Sequence, residues 1–187
     1  MMKVMLIGDS IRMNYQERVR EILGDRAVVH GPAENCRFAA YTLFQLHGWV
    51  PDDDYDVIHW NHGQWDTCYM PDSRIHTPLP AYLDLQKRIA SILRRKAKRL
   101  IFATTTPVHA DQFATAPVNG RRNEDIVAYN QAAVGALSAE GVEINDLHGP
   151  VAKDVMQYIA ADKVHLSPAG VVLCAGLVRA ALLGQKG

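Results

Sequence analysis

The sequence predicts an α/β fold of three layers, α/β/α, built on a flavodoxin-like sheet of five parallel strands. Three observations carry that expectation. Short apolar runs alternate with longer stretches of helical periodicity, turn residues separate the two kinds, and 187 residues suffice for one sizeable core without disulfides or metals. No repeat, low-complexity tract or linker divides the chain, so residues 1–187 read as a single domain.

The elements follow in order. The apolar run over 4–7 predicts a first strand, and Val19, Ile22 and Leu23 recur at helical spacing within a helix over 11–23. A second strand over 27–29 is broken by Gly31-Pro32, a helix follows over 38–46, and a third strand occupies 56–60. Leu85, Ile89, Ile92 and Leu93 share one face of a strong helix over 82–98, whose end carries Arg94, Arg95, Lys96 and Lys98, with Arg99 just beyond. Cations there are expected to meet the negative end of the helix dipole. A fourth strand over 100–104 leads into a long loop over 105–121 containing Pro107, Pro117 and Gly120. Helices over 123–139 and 151–159 flank a short fifth strand over 142–144. Ser167 and Pro168 then open a last helix, as N-cap and first-turn proline.

Composition excludes several classes. Twenty basic residues balance twenty acidic ones, so no global field recruits nucleic acid or an anionic membrane. No apolar stretch is long enough for a bilayer span, and the N-terminal run meets Asp9 too soon for a signal segment. The three cysteines form no CxxC pair. A reducing cytoplasm is the expected address.

In a parallel sheet, functional groups gather beyond the carboxyl ends of the strands, and three segments there carry reactive residue types. Gly8-Asp9-Ser10 sets a hydroxyl at a strand-to-helix turn, where helix N–H groups can face a developing oxyanion. Ser10 as a mere helix cap is the plain alternative. Asp162-x-x-His165 offers a base for that hydroxyl, with a carboxylate to fix the imidazole tautomer; an exposed Asp and a helix-flanking His are the alternative. The segment His59 to Asp66 supplies Asn61 as an amide donor and Gly63 for a tight turn, or else a packed aromatic loop around Trp60 and Trp65. His59 and His62 diverge across a strand end with no carboxylate or cysteine to complete a metal site, so none is expected.

Together these segments resemble the SGNH, or GDSL-like, hydrolase superfamily over nearly the whole chain. Gly8-Asp9-Ser10-Ile11 matches the first family block and Asp162-x-x-His165 the fifth. The resemblance implies a single SGNH hydrolase domain that cleaves carboxylic esters, with Ser10 as nucleophile, His165 as base and Asp162 as its partner. The third block usually reads Gly-x-Asn-Asp, whereas Gly63-Gln64-Trp65-Asp66 carries tryptophan in the asparagine position. Asn61-x-Gly63-x-Trp65 is similar to a variant found in polysaccharide O-acetyl esterases. The implied oxyanion hole therefore combines the Ser10 N–H, the N–H of Cys36 or Arg37 in the second loop, the Asn61 amide and the turn at Gly63.

No cofactor is implied, and there is no G-x-S-x-G elbow, phosphate loop or dinucleotide turn. The loop over 68–80 is polar, and Trp65, Tyr69, Arg74 and His76 suit sugar stacking and hydroxyl contacts. The expected partner is thus a small-molecule ester, an acetylated saccharide. The alternatives are a lipid or acyl thioesterase, a lysophospholipase, and a non-catalytic carbohydrate-binding module on the same fold.

Overall fold

Each apolar run of the sequence becomes a strand, and each amphipathic stretch covers one face of the sheet the strands form. The computed structural model describes residues 1–185. Strand β1 (Met2–Gly8) leads into helix α1 (Ser10–Leu23), then through a 3-10 turn at Gly24–Arg26 to β2 (Ala27–His30) and α2 (Ala39–Trp49). Next come β3 (Tyr55–Asn61), α3 (Leu79–Leu93), β4 (Ala97–Ala103), the short α4 (Gln112–Thr115) and α5 (Asn123–Ser138). The chain continues through β5 (Glu143–Asn145), α6 (His148–Ala152) and α7 (Val155–Tyr158) to α8 (Pro168–Leu182).

The sheet order is β2-β1-β3-β4-β5, all parallel, which is the flavodoxin-like order expected. Val4 to Ile7 of β1 are buried on both faces, as a central parallel strand requires. One core gathers Trp60, Tyr82, Ile89, Leu93, Phe102 and Leu137 beneath α2, α3 and α5. The other gathers Leu6, Tyr15, Val19, Ile101, Cys174 and Val178 beneath α1 and α8. Burial of each such aliphatic side chain contributes about 1.5–3 kcal/mol. The second core matters for the site because it docks the two helices that follow Asp9 and His165.

Three expectations are corrected. The helix over 82–98 ends at Leu93, because Lys98 and Arg99 belong to β4. Arg99 grips Glu143 of β5 at 2.7 and 2.8 Å and donates to the carbonyls of Ala181 and Leu182. It does meet a helix C-terminus, but that of α8. The helix over 151–159 is broken in two: Asp154 leaves helical geometry at φ −150° and caps α7 by accepting from the Gln157 N–H. The loop over 105–121 contains the short helix α4. The last helix starts as read, with the Ser167 hydroxyl accepting from the Gly170 N–H.

Candidate active site

Beyond the end of β1 the capping role falls to Asp9, whose Oδ1 accepts from the Ile11 N–H at 3.0 Å. Ser10 is the first residue of α1, so its N–H is one of the donors an α-helix leaves without an intrahelical acceptor. Its hydroxyl is consequently free of helix capping. It meets Nε2 of His165 at 2.8 Å, and Nδ1 of the same ring meets Oδ2 of Asp162 at 2.7 Å. The structure thus brings Ser10, His165 and Asp162 into one hydrogen-bonded row.

The turn bearing His165 is held from several sides. Oδ1 of Asp162 accepts from the N–H groups of Val164 and His165 at 3.0 and 2.9 Å. Lys163 adopts a left-handed φ of 72°, and its ammonium reaches Asp111 at 2.6 Å. On the other side, the Leu166 N–H donates to Oδ1 of Asn14, one turn along α1 from Ser10. Burial pushes the Asp162 carboxyl up, but the two N–H donors and the His165 ring outweigh it and hold the carboxyl below its usual range.

A cavity of about 320 Å³ opens at Ser10 and is lined by Asn35, Trp65, Arg121, Asp162, Val164 and His165. A larger hollow of about 510 Å³ lies against α8, between Ile101 and Gln185, away from the Ser10 row. Of the expected sugar contacts only Trp65 lines the Ser10 cavity. Tyr69 instead stacks edge-on against Phe113 at 4.8 Å and donates to Asp125. His76 packs on Phe38 with ring centroids 4.4 Å apart, and exposed Arg74 pairs with Asp72. These partners turn the three side chains to other surroundings.

The expected oxyanion donors are redistributed as well. Asn61 is buried; its Nδ2 donates to Asp9 Oδ1 at 2.9 Å, and its Oδ1 accepts from the Tyr15 hydroxyl at 3.1 Å. It does not line the cavity. The register pairs Asn61 with Gly8, where a Cβ would lie 2.2 Å from Asn61 Oδ1, so the glycine before Asp9 makes room for this network. The Cys36 N–H is taken by the Gly8 carbonyl, and Arg37, at φ 53°, gives its N–H to Asn35 Oδ1 at 2.8 Å. Gly63 is buried at φ 143°, where a Cβ would strike Thr105 Oγ1 at 1.9 Å; it lets β3 approach the β4 loop and does not line the cavity.

Two lining residues escaped sequence reading as ligand contacts. Asn35, with Oδ1 occupied by Arg37, leaves Nδ2 as its available donor. Arg121 donates from Nε to the Gln64 carbonyl and from Nη1 to the Asn119 carbonyl, both at 2.6 Å. The only signal for Arg121 was its place in a long loop beyond the end of a parallel strand.

His59 and His62 point to different partners, Asn145 and Thr42, and burial lowers both to a pKa of about 3. Among the described residues, no group of three or more His, Cys, Asp or Glu side chains is arranged to hold a metal ion. None of the described helices is long and apolar enough to cross a membrane.

No family model and no curated protein sequence matches the chain. Solved structures do. An acetyl xylan esterase superposes with a TM-score of 0.79 at 16% identity, covering 96% of this chain and 99% of its own. The fold is that of the SGNH hydrolases. A lipase/acylhydrolase from Enterococcus faecalis gives 0.78 at 19% identity, over 98% of this chain and 96% of the other. An acetylxylan esterase from Geobacillus stearothermophilus gives 0.76 at 15%, over 99% and 95%. At these identities the likeness is one of fold.

Proposed function

We propose that this SGNH-fold protein is a serine hydrolase of carboxylic esters and that its substrates are O-acetyl groups on carbohydrates. The observation that carries the reading is the row from Ser10 Oγ through His165 to Asp162, at 2.8 and 2.7 Å. With Asp162 ionised, Nδ1 of the ring keeps its proton and donates to Oδ2, so Nε2 accepts from the Ser10 hydroxyl. His165 takes that proton as Oγ bonds to the ester carbonyl carbon, and the carbonyl electrons move onto oxygen. The imidazolium then protonates the departing alcohol as the C–O bond breaks. Water, deprotonated by the same nitrogen, attacks the acyl carbon, and the acid leaves as the Oγ–acyl bond breaks and the imidazolium returns that proton to Ser10 Oγ.

For the oxyanion we assign the Ser10 N–H and the Asn35 amide, since Asn61, Cys36 and Arg37 are committed elsewhere. The small cavity favours a short acyl group over a lipid chain, and Trp65 offers a face for a sugar ring. The acetylxylan esterases among the structural neighbours support the same substrate class. Three free, buried cysteines support a reducing, cytoplasmic setting.

Ser10→Ala is expected to lower turnover of 4-nitrophenyl acetate and of acetylated xylo-oligosaccharides by at least about a thousandfold, with an unchanged circular dichroism spectrum. Labelling by a serine-directed fluorophosphonate should be lost with it. Near-normal turnover in a folded variant would remove Ser10 from the mechanism. No turnover and no labelling in the unaltered protein would leave the carbohydrate-binding module as the better reading.

A further inference from the structure

Among the described residues Arg121 is the one Lys or Arg lining the cavity at Ser10, and its hydrogen bonds pin it there. Nε and Nη1 are held by the Gln64 and Asn119 carbonyls, which fixes the plane of the guanidinium. Carbonyls hold a guanidinium without neutralising it. Among the described residues no carboxylate lies within 4 Å of Arg121. The carboxylate that shares the cavity, Asp162, is already engaged by His165 and two backbone N–H groups.

Arg12 is held differently. Among the described residues that guanidinium also pairs with no carboxylate, but it is closed in: it donates to Gln16, to the carbonyls of Pro32 and Glu34, to Cys36 Sγ, and along Nε to the Gly8 carbonyl. Its inventory of donors is spent inside the protein, and it lines no part of the Ser10 cavity. Among the described residues Nη2 of Arg121 has no hydrogen-bond partner, and Arg121 lines the same cavity as Ser10. Its neighbour Arg122 is turned away, stacked over Phe113 at 4.1 Å.

We propose that Arg121 is a specificity-determining residue that receives a carboxylate carried by the substrate close to the scissile ester. This inference rests on the esterase reading and narrows it to esters bearing an anionic group. A charge-assisted bond to an arginine in a partly desolvated site is among the stronger polar contacts available to a ligand. Burial lowers the affinity of this guanidinium for its proton, and Cys68 and the Asp9 carboxyl counter that only in part, so a desolvation cost is left for a bound carboxylate to offset. The carboxylate has two possible sources: the acyl portion, as in a half-ester of a dicarboxylic acid, or the alcohol portion, as in an acetylated uronic acid.

The experiment compares the unaltered protein with Arg121→Gln and Arg121→Lys on four esters. 4-Nitrophenyl acetate and acetylated glucose are neutral; the 4-nitrophenyl half-ester of succinate and acetylated glucuronic acid carry a carboxylate on one side or the other. The expected result is a loss of about thirtyfold or more in kcat/KM for Arg121→Gln on one anionic ester, mostly through KM. The neutral esters should change less than threefold, and Arg121→Lys should recover part of the discrimination. The affected arm names the side on which the carboxylate lies.

An equal loss on neutral and anionic esters would make Arg121 an oxyanion donor and overturn the proposal. Unchanged kinetics on all four would overturn it as well. A second readout separates this from failure of the esterase reading. By calorimetry, Ser10→Ala protein should bind glucuronate or succinate at least tenfold more tightly than the same protein carrying Arg121→Gln, whereas glucose binding should not differ. Equal anion binding by both proteins overturns the proposal, whatever the turnover.

Discussion

Replacing Asp162 with asparagine changes one atom and tests how His165 is held. The carboxylate serves three donors: Oδ1 takes the N–H groups of Val164 and His165, and Oδ2 takes Nδ1 of the ring. An asparagine that keeps the two backbone bonds must aim its NH2 at Nδ1. That nitrogen then has to accept, the ring proton moves to Nε2, and Nε2 donates toward Ser10 when it should accept. Rotating the amide restores the tautomer but sets NH2 against the two backbone N–H groups.

Each of those lost bonds costs about 1–2 kcal/mol in a half-exposed turn, so the competent arrangement lies about 2–4 kcal/mol above the inactive one. Loss of the charge that stabilises the imidazolium adds about 1–2 kcal/mol. The sum corresponds to a fall in kcat between about 10² and 10⁴, centred near a thousandfold, with KM little changed. Initial rates of 4-nitrophenol release from 4-nitrophenyl acetate measure it, with circular dichroism as the check on folding. A folded Asp162→Asn protein that kept more than about a tenth of its kcat would refute the reasoning.

Two further predictions concern stability. Burial raises Asp66 from 3.8 to about 7, which favours the folded chain below pH 3.8 and is lost as pH rises through 7; His59 and His62, lowered from 6.5 to about 3, favour it above pH 6.5 and lose this as pH falls. Between about pH 4.5 and 6 these groups oppose one another, so Asp66→Asn should steepen acid destabilisation by about 1.4 kcal/mol per pH unit in urea titrations, and parallel slopes would discard the Asp66 assignment. Gly63→Ala should destabilise by about 3 kcal/mol, because its Cβ would sit 1.9 Å from Thr105 Oγ1 at a φ of 143°. An unshifted denaturation midpoint would mean that Thr105 yields more easily than this packing implies.

The sheet was legible because hydrophobic periodicity and turn residues report it directly. Val4 to Ile7 could only be a buried strand, and Ser167-Pro168 could only open a helix. The basic run at Arg94 to Arg99 misled because charge density says nothing of where a helix stops; the pairing of Arg99 with Glu143 is a contact across 44 residues. Ser10, Asp162 and His165 were readable because their spacing within short motifs is local. Donors to an oxyanion are not of that kind. Whether Asn61 or Asn35 faces the cavity depends on which partners are nearer, and Asp9 and Tyr15 hold Asn61. Tyr69, Arg74 and His76 have the right chemistry for sugars, yet Asp125, Asp72 and Phe38 lie within reach of them.

Ser10 and His165 stand 155 residues apart along the chain. At roughly 5–20 residues per second, a ribosome makes the serine about 8–30 s before the histidine. Throughout that interval the hydroxyl is an ordinary alcohol, whatever has already folded around it. Asp162 and His165 emerge almost together, on one turn that leads into α8, and α8 shares a buried core with α1. On the proposed mechanism, a growing chain has no base for Ser10 until His165 has been made and its turn packed against α1.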